Sequence, residues 1–215
     1  MNSDIYLQFV KLLDQELKDE AIEYALSLLE TKAVTLKELY LQLLTPSLTN
    51  FVCNIDDEEI CIWKEHTRTS IVRTILEASY PYVIKEKVLA KQNHKKVMVV
   101  CPSEEYHEIG AIIATNLFSL SGFNSLYIGA NTPKSDIISA IRALSPDYIA
   151  FSVTNYYNIV VMKKITSEIK EKFPKIKIIV GGQAFLQHGA LAQINYDYYL
   201  DNMENIIILE GGASL

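Results

Sequence analysis

Val97-Met-Val-Val-Cys-Pro-Ser-Glu-Glu-Tyr-His-Glu-Ile-Gly110 lies near the middle of a chain of 215 residues. Its first five residues form an unbroken apolar run, the pattern of a buried strand. His107 falls just past the carboxyl end of that predicted strand, flanked by acids and followed by Gly110. In open α/β sheets this edge is where ligands bind. Imidazole is also the commonest protein ligand for a metal, and a carboxylate two residues earlier, Glu105, can orient the ring from behind.

Downstream, short apolar or β-branched runs at Ser125–Ile128, Tyr148–Val153, Ile176–Val180 and Tyr196–Leu200 alternate with helical patterns. The helical patterns cover His107–Ser121, Pro133–Leu144, Ile159–Phe173 and a shorter stretch after Gln183. Thr132-Pro133 reads as an N-cap followed by proline at the first helical position. Strand alternating with helix implies a doubly wound, flavodoxin-like parallel sheet of five strands. Upstream the period is different. Apolar stripes at Ile5, Phe9, Leu12, Leu13, then Ala21, Ala25, Leu28, Leu29, then Leu36, Leu39, Leu43, Leu44 have helical spacing. A fourth stripe runs through Ile62, Ile71, Val72, Ile75 and Leu76, with breaks near Asp14–Lys18, Thr31–Thr35, Pro46 and Asn54–Glu58. The expected organisation is a four-helix bundle over 1–88, a linker at 89–95 and an α/β domain over 96–215.

Composition bounds the function. With 49% hydrophobic and 21% charged residues the chain can bury a core. It shows no basic n-region leading into an apolar stretch and no apolar run long enough to span a bilayer. Cys53, Cys61 and Cys101 are spaced without a CxxC motif, which suits reduced thiols in a cytoplasmic protein better than a disulfide framework or a zinc site. A net charge of −6 argues against direct binding to a nucleic-acid backbone. No GxGxxG follows the first strand and no GxxxxGK[ST] is present, so neither phosphate cradle exists.

Three loops gather at the same sheet edge. The first carries Glu105, His107 and Gly110; the second holds Ser152 and Thr154 at alternate positions; the third is Val180-Gly-Gly-Gln183, whose Gly181 and Gly182 permit close approach to the backbone. Singly, each has an ordinary explanation as a surface histidine, a sheet-edge pair or a turn. Together, in this order, they favour a ligand spanning a long cleft, with a metal or electrophile near His107 and a polar tail running toward the glycines.

Glu105-x-His107-x-x-Gly110, Ser152-x-Thr154 and Gly181-Gly182 resemble the signature of the cobalamin-binding domain of the methionine-synthase and corrinoid-protein type. There the usual motif opens with aspartate, and a helical cap commonly precedes the domain. The resemblance implies that His107 is the lower axial ligand to cobalt, displacing the cofactor's own base, with Glu105 on its other ring nitrogen. It also implies that Ser152 and Thr154 bond the nucleotide tail, beside Gly181, Gly182 and Gln183. In the cap, Trp63-Lys-Glu-His66 is similar to the cap of light-sensing repressors that use adenosylcobalamin, where a Glu-His pair and a tryptophan lie over the upper face of the corrin. Glu65 and His66 would take those places, and Ile55 stands where the tryptophan aligns. By spacing alone, Glu65 is half of an ion pair with Arg68.

The leading expectation is therefore a cobalamin sensor holding adenosylcobalamin or methylcobalamin and working through a homo-oligomer or a regulatory protein partner rather than as an enzyme. It would lack the DNA-reading module of the repressors. The alternative is a corrinoid methyl carrier of a methyltransferase system, and a third reading is an interaction domain without cofactor.

Overall fold

The computed structural model describes residues 3–53, 55, 58–203 and 205–206. The chain divides into two units, Met1–Glu86 and Lys87–Leu215.

Helical spacing in the first unit becomes four helical stretches. α1 (Ser3–Asp14) buries Phe9 and Leu13, and α2 (Lys18–Glu30) buries Ala21, Ala25, Leu28 and Leu29. The third stretch, α3 (36–49), opens on a capping box: Thr35 Oγ1 accepts from Glu38 N at 3.1 Å, while Glu38 accepts from Thr35 N at 2.8 Å. Its middle, Leu39–Leu44, winds as a π-helix, with Thr45 N–H bonded to Tyr40 O. Pro46, which has no N–H to give, follows directly. The wider turn brings two adjacent pairs, Leu39–Tyr40 and Leu43–Leu44, into the core together. α4 (Glu58–Lys87) is a long helix with Pro81 inside it. The expected break at Asn54–Glu58 lies partly outside the described residues.

Two expectations for this unit are corrected. Arg68 is 3% exposed and does not pair with Glu65: it donates to Ser47 O at 3.1 Å, ion-pairs with Asp14, and lies 4.5 Å over the Phe51 ring. A buried guanidinium needs several partners, and Asp14, Ser47 and Phe51 supply them. Cys53 and Cys61 are not free thiols either but form a disulfide, with Cα atoms 5.6 Å apart. The segment after α3 turns back beside the first turn of α4, a proximity that cysteine spacing does not reveal. Cys101 remains a buried thiol, pushed up to about 12 chiefly by burial.

In the second unit β1 (Lys96–Pro102), β2 (Asn124–Thr132), β3 (Tyr148–Ser152), β4 (Lys177–Gly181) and β5 (Tyr198–Leu200) form one parallel sheet in the order β2-β1-β3-β4-β5. Between them run α5 (Ile109–Leu120), α6 (Lys134–Leu144) and α7 (Ile159–Lys172). Alternate strand residues, Met98, Val100, Ile149, Phe151, Ile178 and Val180, join a core with Ile137, Ile141, Met162 and Ile165 of α6 and α7. Their neighbours Val97, Val99 and Cys101 are equally buried, so both faces are covered and the β1 run reads as continuous rather than alternating. The helix start at Thr132 moves by one residue: Pro133 is the N-cap, and Thr132 Oγ1 bonds Gly129 O at 3.2 Å instead. After Gln183 there is no α-helix but two 3-10 turns, Gln183–Leu186 and Leu191–Gln193. Gln187 is extended between them and Gly189 has φ 78, which ends helical winding. No helix among the described residues is long and apolar enough to cross a membrane.

Candidate cobalamin-binding site

β1 and β3 are neighbours in the sheet, and the connections leaving them run to opposite sides in strand order. That is the topological switch point of a doubly wound sheet, where a crevice opens beyond the strand ends. The loop after β1 holds Glu105 and His107. The segment after β3 holds Thr154, Asn155 and Asn158.

The β1 loop is fixed from several directions. Glu104 has left-handed backbone, φ 63, and its N–H donates to Asn131 Oδ1 at 2.8 Å, while Glu105 O accepts from Asn131 N at 2.9 Å. The loop is thereby tied to the end of β2, and the Glu105 side chain turns inward. Glu105 is wholly buried, whereas the His107 side chain is 59% exposed. Glu105 Oε1 accepts from His107 Nδ1 at 2.6 Å and from His107 N at 3.1 Å. Its Oε2 accepts from Thr154 N at 2.8 Å, Asn155 N at 2.9 Å and Asn158 Nδ2 at 3.2 Å. Burial raises the carboxyl pKa, but the His107 ring and the N–H groups of Asn155, Thr154 and His107 outweigh it and hold it at about 2. An ionised carboxylate can only accept, so His107 Nδ1 is the protonated nitrogen, and in the neutral ring Nε2 is the acceptor.

Gly110 lies in the first turn of α5. A Cβ there would meet Ser152 Oγ at 3.6 Å and Met203 at 3.8 Å, so its absence keeps the approach to Ser152 open. Ser152 is the last residue of β3 and Thr154 lies just beyond the strand; both are half-buried. No hydrogen bond from either hydroxyl to a protein group is seen among the described residues. Gly182 has a local reason of its own: with φ 111, a Cβ would stand 2.3 Å from Val153 O. The turn wraps the Val153 backbone, whose N–H donates to Gly181 O and whose carbonyl accepts from Ala184 N. Gly181 sits against β5, a Cβ there meeting Leu200 O at 3.3 Å, and Gln183 is exposed at the start of the turn. Ile55, Glu65 and His66 belong to the helical unit, where all three are exposed. Sequence reasoning missed Asn158 and the two amides of Thr154 and Asn155, although an asparagine pair before a helix pattern signals a structured N-terminus.

A family model described as the B12 binding domain matches residues 95–207. The chain belongs to this family. Its cofactor is cobalamin. Over 101 residues the chain is 25% identical to the HTH-type transcriptional repressor CarH of Myxococcus xanthus, a match covering 46% of this chain and 34% of that relative, so the chain spans about a third of the relative's length. The fold is similar to that of the monomethylamine corrinoid protein of Methanosarcina barkeri, with TM-score 0.81 and 14% identity over 97% of this chain and 98% of that one. A cobalamin-binding protein from Desulfitobacterium hafniense has TM-score 0.52 and 15% identity, covering 96% and 97% of the two chains.

The residues present fit the family's cofactor. One imidazole with a carboxylate behind it suits a metal whose other ligands travel with it, as those of cobalt do in a corrin. The missing side chain at Gly110, whose Cβ would touch Ser152 Oγ, and the half-buried Ser152 and Thr154 suit a polar tail entering the sheet edge.

Proposed function

We propose that His107 is the lower axial ligand to cobalt through Nε2, and that the chain is a corrinoid protein presenting cobalamin to a protein partner as a methyl carrier. The single observation that carries the ligand assignment is Glu105, wholly buried and held ionised on Nδ1 2.6 Å away. It fixes the ring's tautomer and raises the basicity of Nε2. Ser152 and Thr154 would bond the cofactor's tail, with Gly110, Gly181, Gly182 and Gln183 around it. The carrier role is supported by the likeness running over nearly the whole of both chains to a corrinoid protein. Bound cobalamin would supply an exchangeable upper ligand; the protein's part is binding, orientation and axial tuning.

A second reading, a sensor that responds to light or to loss of the upper ligand, is favoured by the CarH relative. In it Ile55, Glu65 and His66 of the helical unit would meet the upper face, and the output would be a change of oligomer or partner.

The test is the ultraviolet-visible spectrum of purified protein with adenosyl-, methyl- and hydroxocobalamin, in darkness and after illumination. Wild type is expected to give a histidine-on spectrum that His107→Ala abolishes; a variant spectrum identical to wild type would refute the axial assignment. Methyl transfer from the loaded protein to a thiol acceptor, with no response to light, supports the carrier. A light-dependent change of oligomeric state with no transfer overturns it in favour of the sensor.

A further inference from the structure

The three cysteines differ in what can reach them. Cys101 is wholly buried in the α/β unit, and burial pushes its thiol up to about 12, so it offers almost no thiolate. Cys53 and Cys61 are both half-buried in the helical unit and joined to each other. Cys53 lines an open cavity of about 210 Å³ with Phe51, Val52, Ile55, Lys64 and Arg68. The bond therefore stands at a surface recess, not in the core.

Little else holds this wall of the recess. Phe51 N donates to Leu48 O at 3.4 Å, but among the described residues the backbones of Val52 and Cys53 make no hydrogen bond. Val52 is 73% exposed and Ile55 44%. Beyond the stacking of Arg68 on Phe51, the bond to Cys61 is what ties the wall to the first turn of α4. The opened state also has a partner in place. Cys61 Sγ lies 3.5 Å from Ile55 O, an acceptor that a thiol can use and a disulfide cannot.

From this arrangement we infer that Cys53 and Cys61 form a reversible redox site, a thiol–disulfide switch that fixes or frees the cavity wall of the helical unit. A bond sealed in a core resists exchange, whereas an accessible one is labile. The co-reactant is a low-molecular-weight thiol. Its thiolate attacks Cys53 Sγ, the S–S bond breaks, and the electron pair leaves on Cys61 Sγ, which takes up a proton. The α4 N-terminus and Lys64, one turn on, favour that departing thiolate. A second thiolate of the co-reactant then displaces Cys53 Sγ, which is protonated in turn. Two thiols thus leave as one disulfide, and two electrons and two protons enter the protein; oxidation is the reverse. The inference goes beyond the cobalamin reading and does not use it.

The test takes the full chain, without denaturant, through buffers of reduced and oxidised glutathione at several ratios. Brief alkylation and peptide mass analysis then count the free thiols. Wild type is expected to gain label on Cys53 and Cys61 together as the ratio rises, to lose it when the ratio is lowered, and to leave Cys101 unlabelled. The second readout is cleavage after Phe51 by a chymotrypsin-type protease. It is expected to run roughly tenfold or more faster in the reduced chain, because the ring no longer opposes local opening, with cleavage inside 96–200 unchanged. Cys53→Ser with Cys61→Ser should be cut at the fast rate in every buffer. A pair that glutathione opens only after unfolding, or a cleavage rate that reduction leaves unchanged, would overturn the inference. Should the double variant fail to fold, by circular dichroism, wild type in the two extreme buffers carries the test. If wild type gives no histidine-on spectrum, the cobalt assignment falls and these outcomes still decide the switch.

Discussion

A carboxylate with no solvent contact is costly unless each lone pair is met, and Glu105 meets its cost with five N–H donors. Replacing it tests that balance without changing its size. In Glu105→Gln one oxygen becomes an NH2 facing donors on either side, so the expected loss is about 2–3 kcal/mol of stability in the cofactor-free protein. Urea unfolding checks it, and a loss below about 0.5 kcal/mol, the range of ordinary surface changes, would mean the network contributes little. The relation of Glu105 to His107 was legible in the sequence, because two residues apart in a loop after a strand is a short-range pattern. Asn158 was not. Its partner is 53 positions away, and an asparagine before a helix reads as a cap, the role that Asn155 fills.

At the other end of the strands, two aspartates set where strands begin. Asp147 accepts from Lys96 N at 2.9 Å and Lys95 Nζ at 2.8 Å, while Asp197 accepts from Ile178 N at 2.7 Å, from Lys177 Nζ at 3.1 Å and from Lys170. In both, burial raises the carboxyl pKa but the lysine and backbone hydrogen bonds prevail, and both are lowered. Groups depressed in the folded state add stability above their unfolded value, about 3.9 for aspartate, and lose it as pH falls through the lower folded value. The α/β unit is therefore expected to keep full stability down to about pH 4–5 and to weaken below that. Asp147→Asn with Asp197→Asn should flatten that acid limb in a series of melts; an identical limb would count against these bonds. Strand existence was legible throughout, since Val97–Cys101 and Ile176–Val180 are dense in branched apolar residues. The turn after Gln183 was not, because apolar Ala184, Phe185 and Leu186 suit a helix and only the backbone at Gln187 and Gly189 forbids one.

Across the whole chain, the switch from helical stripes to short apolar runs between helices marked where the architecture changes, and the family match at 95–207 falls on the part with the three-loop signature. What composition could not supply was the pairing of Cys53 with Cys61, because the two meet only when the segment after α3 turns back. That bond makes residues 53–61 a closed ring around Ile55. A single cut by a glutamate-specific protease after Glu59, which is exposed, would then open the ring without parting the chain. On a denaturing gel the nicked protein should run as one band until reductant is added and as two afterwards. Two bands without reductant would show that the thiols were free. In the bonded form, the polypeptide carrying Ile55 survives a backbone break that would otherwise cut it in two.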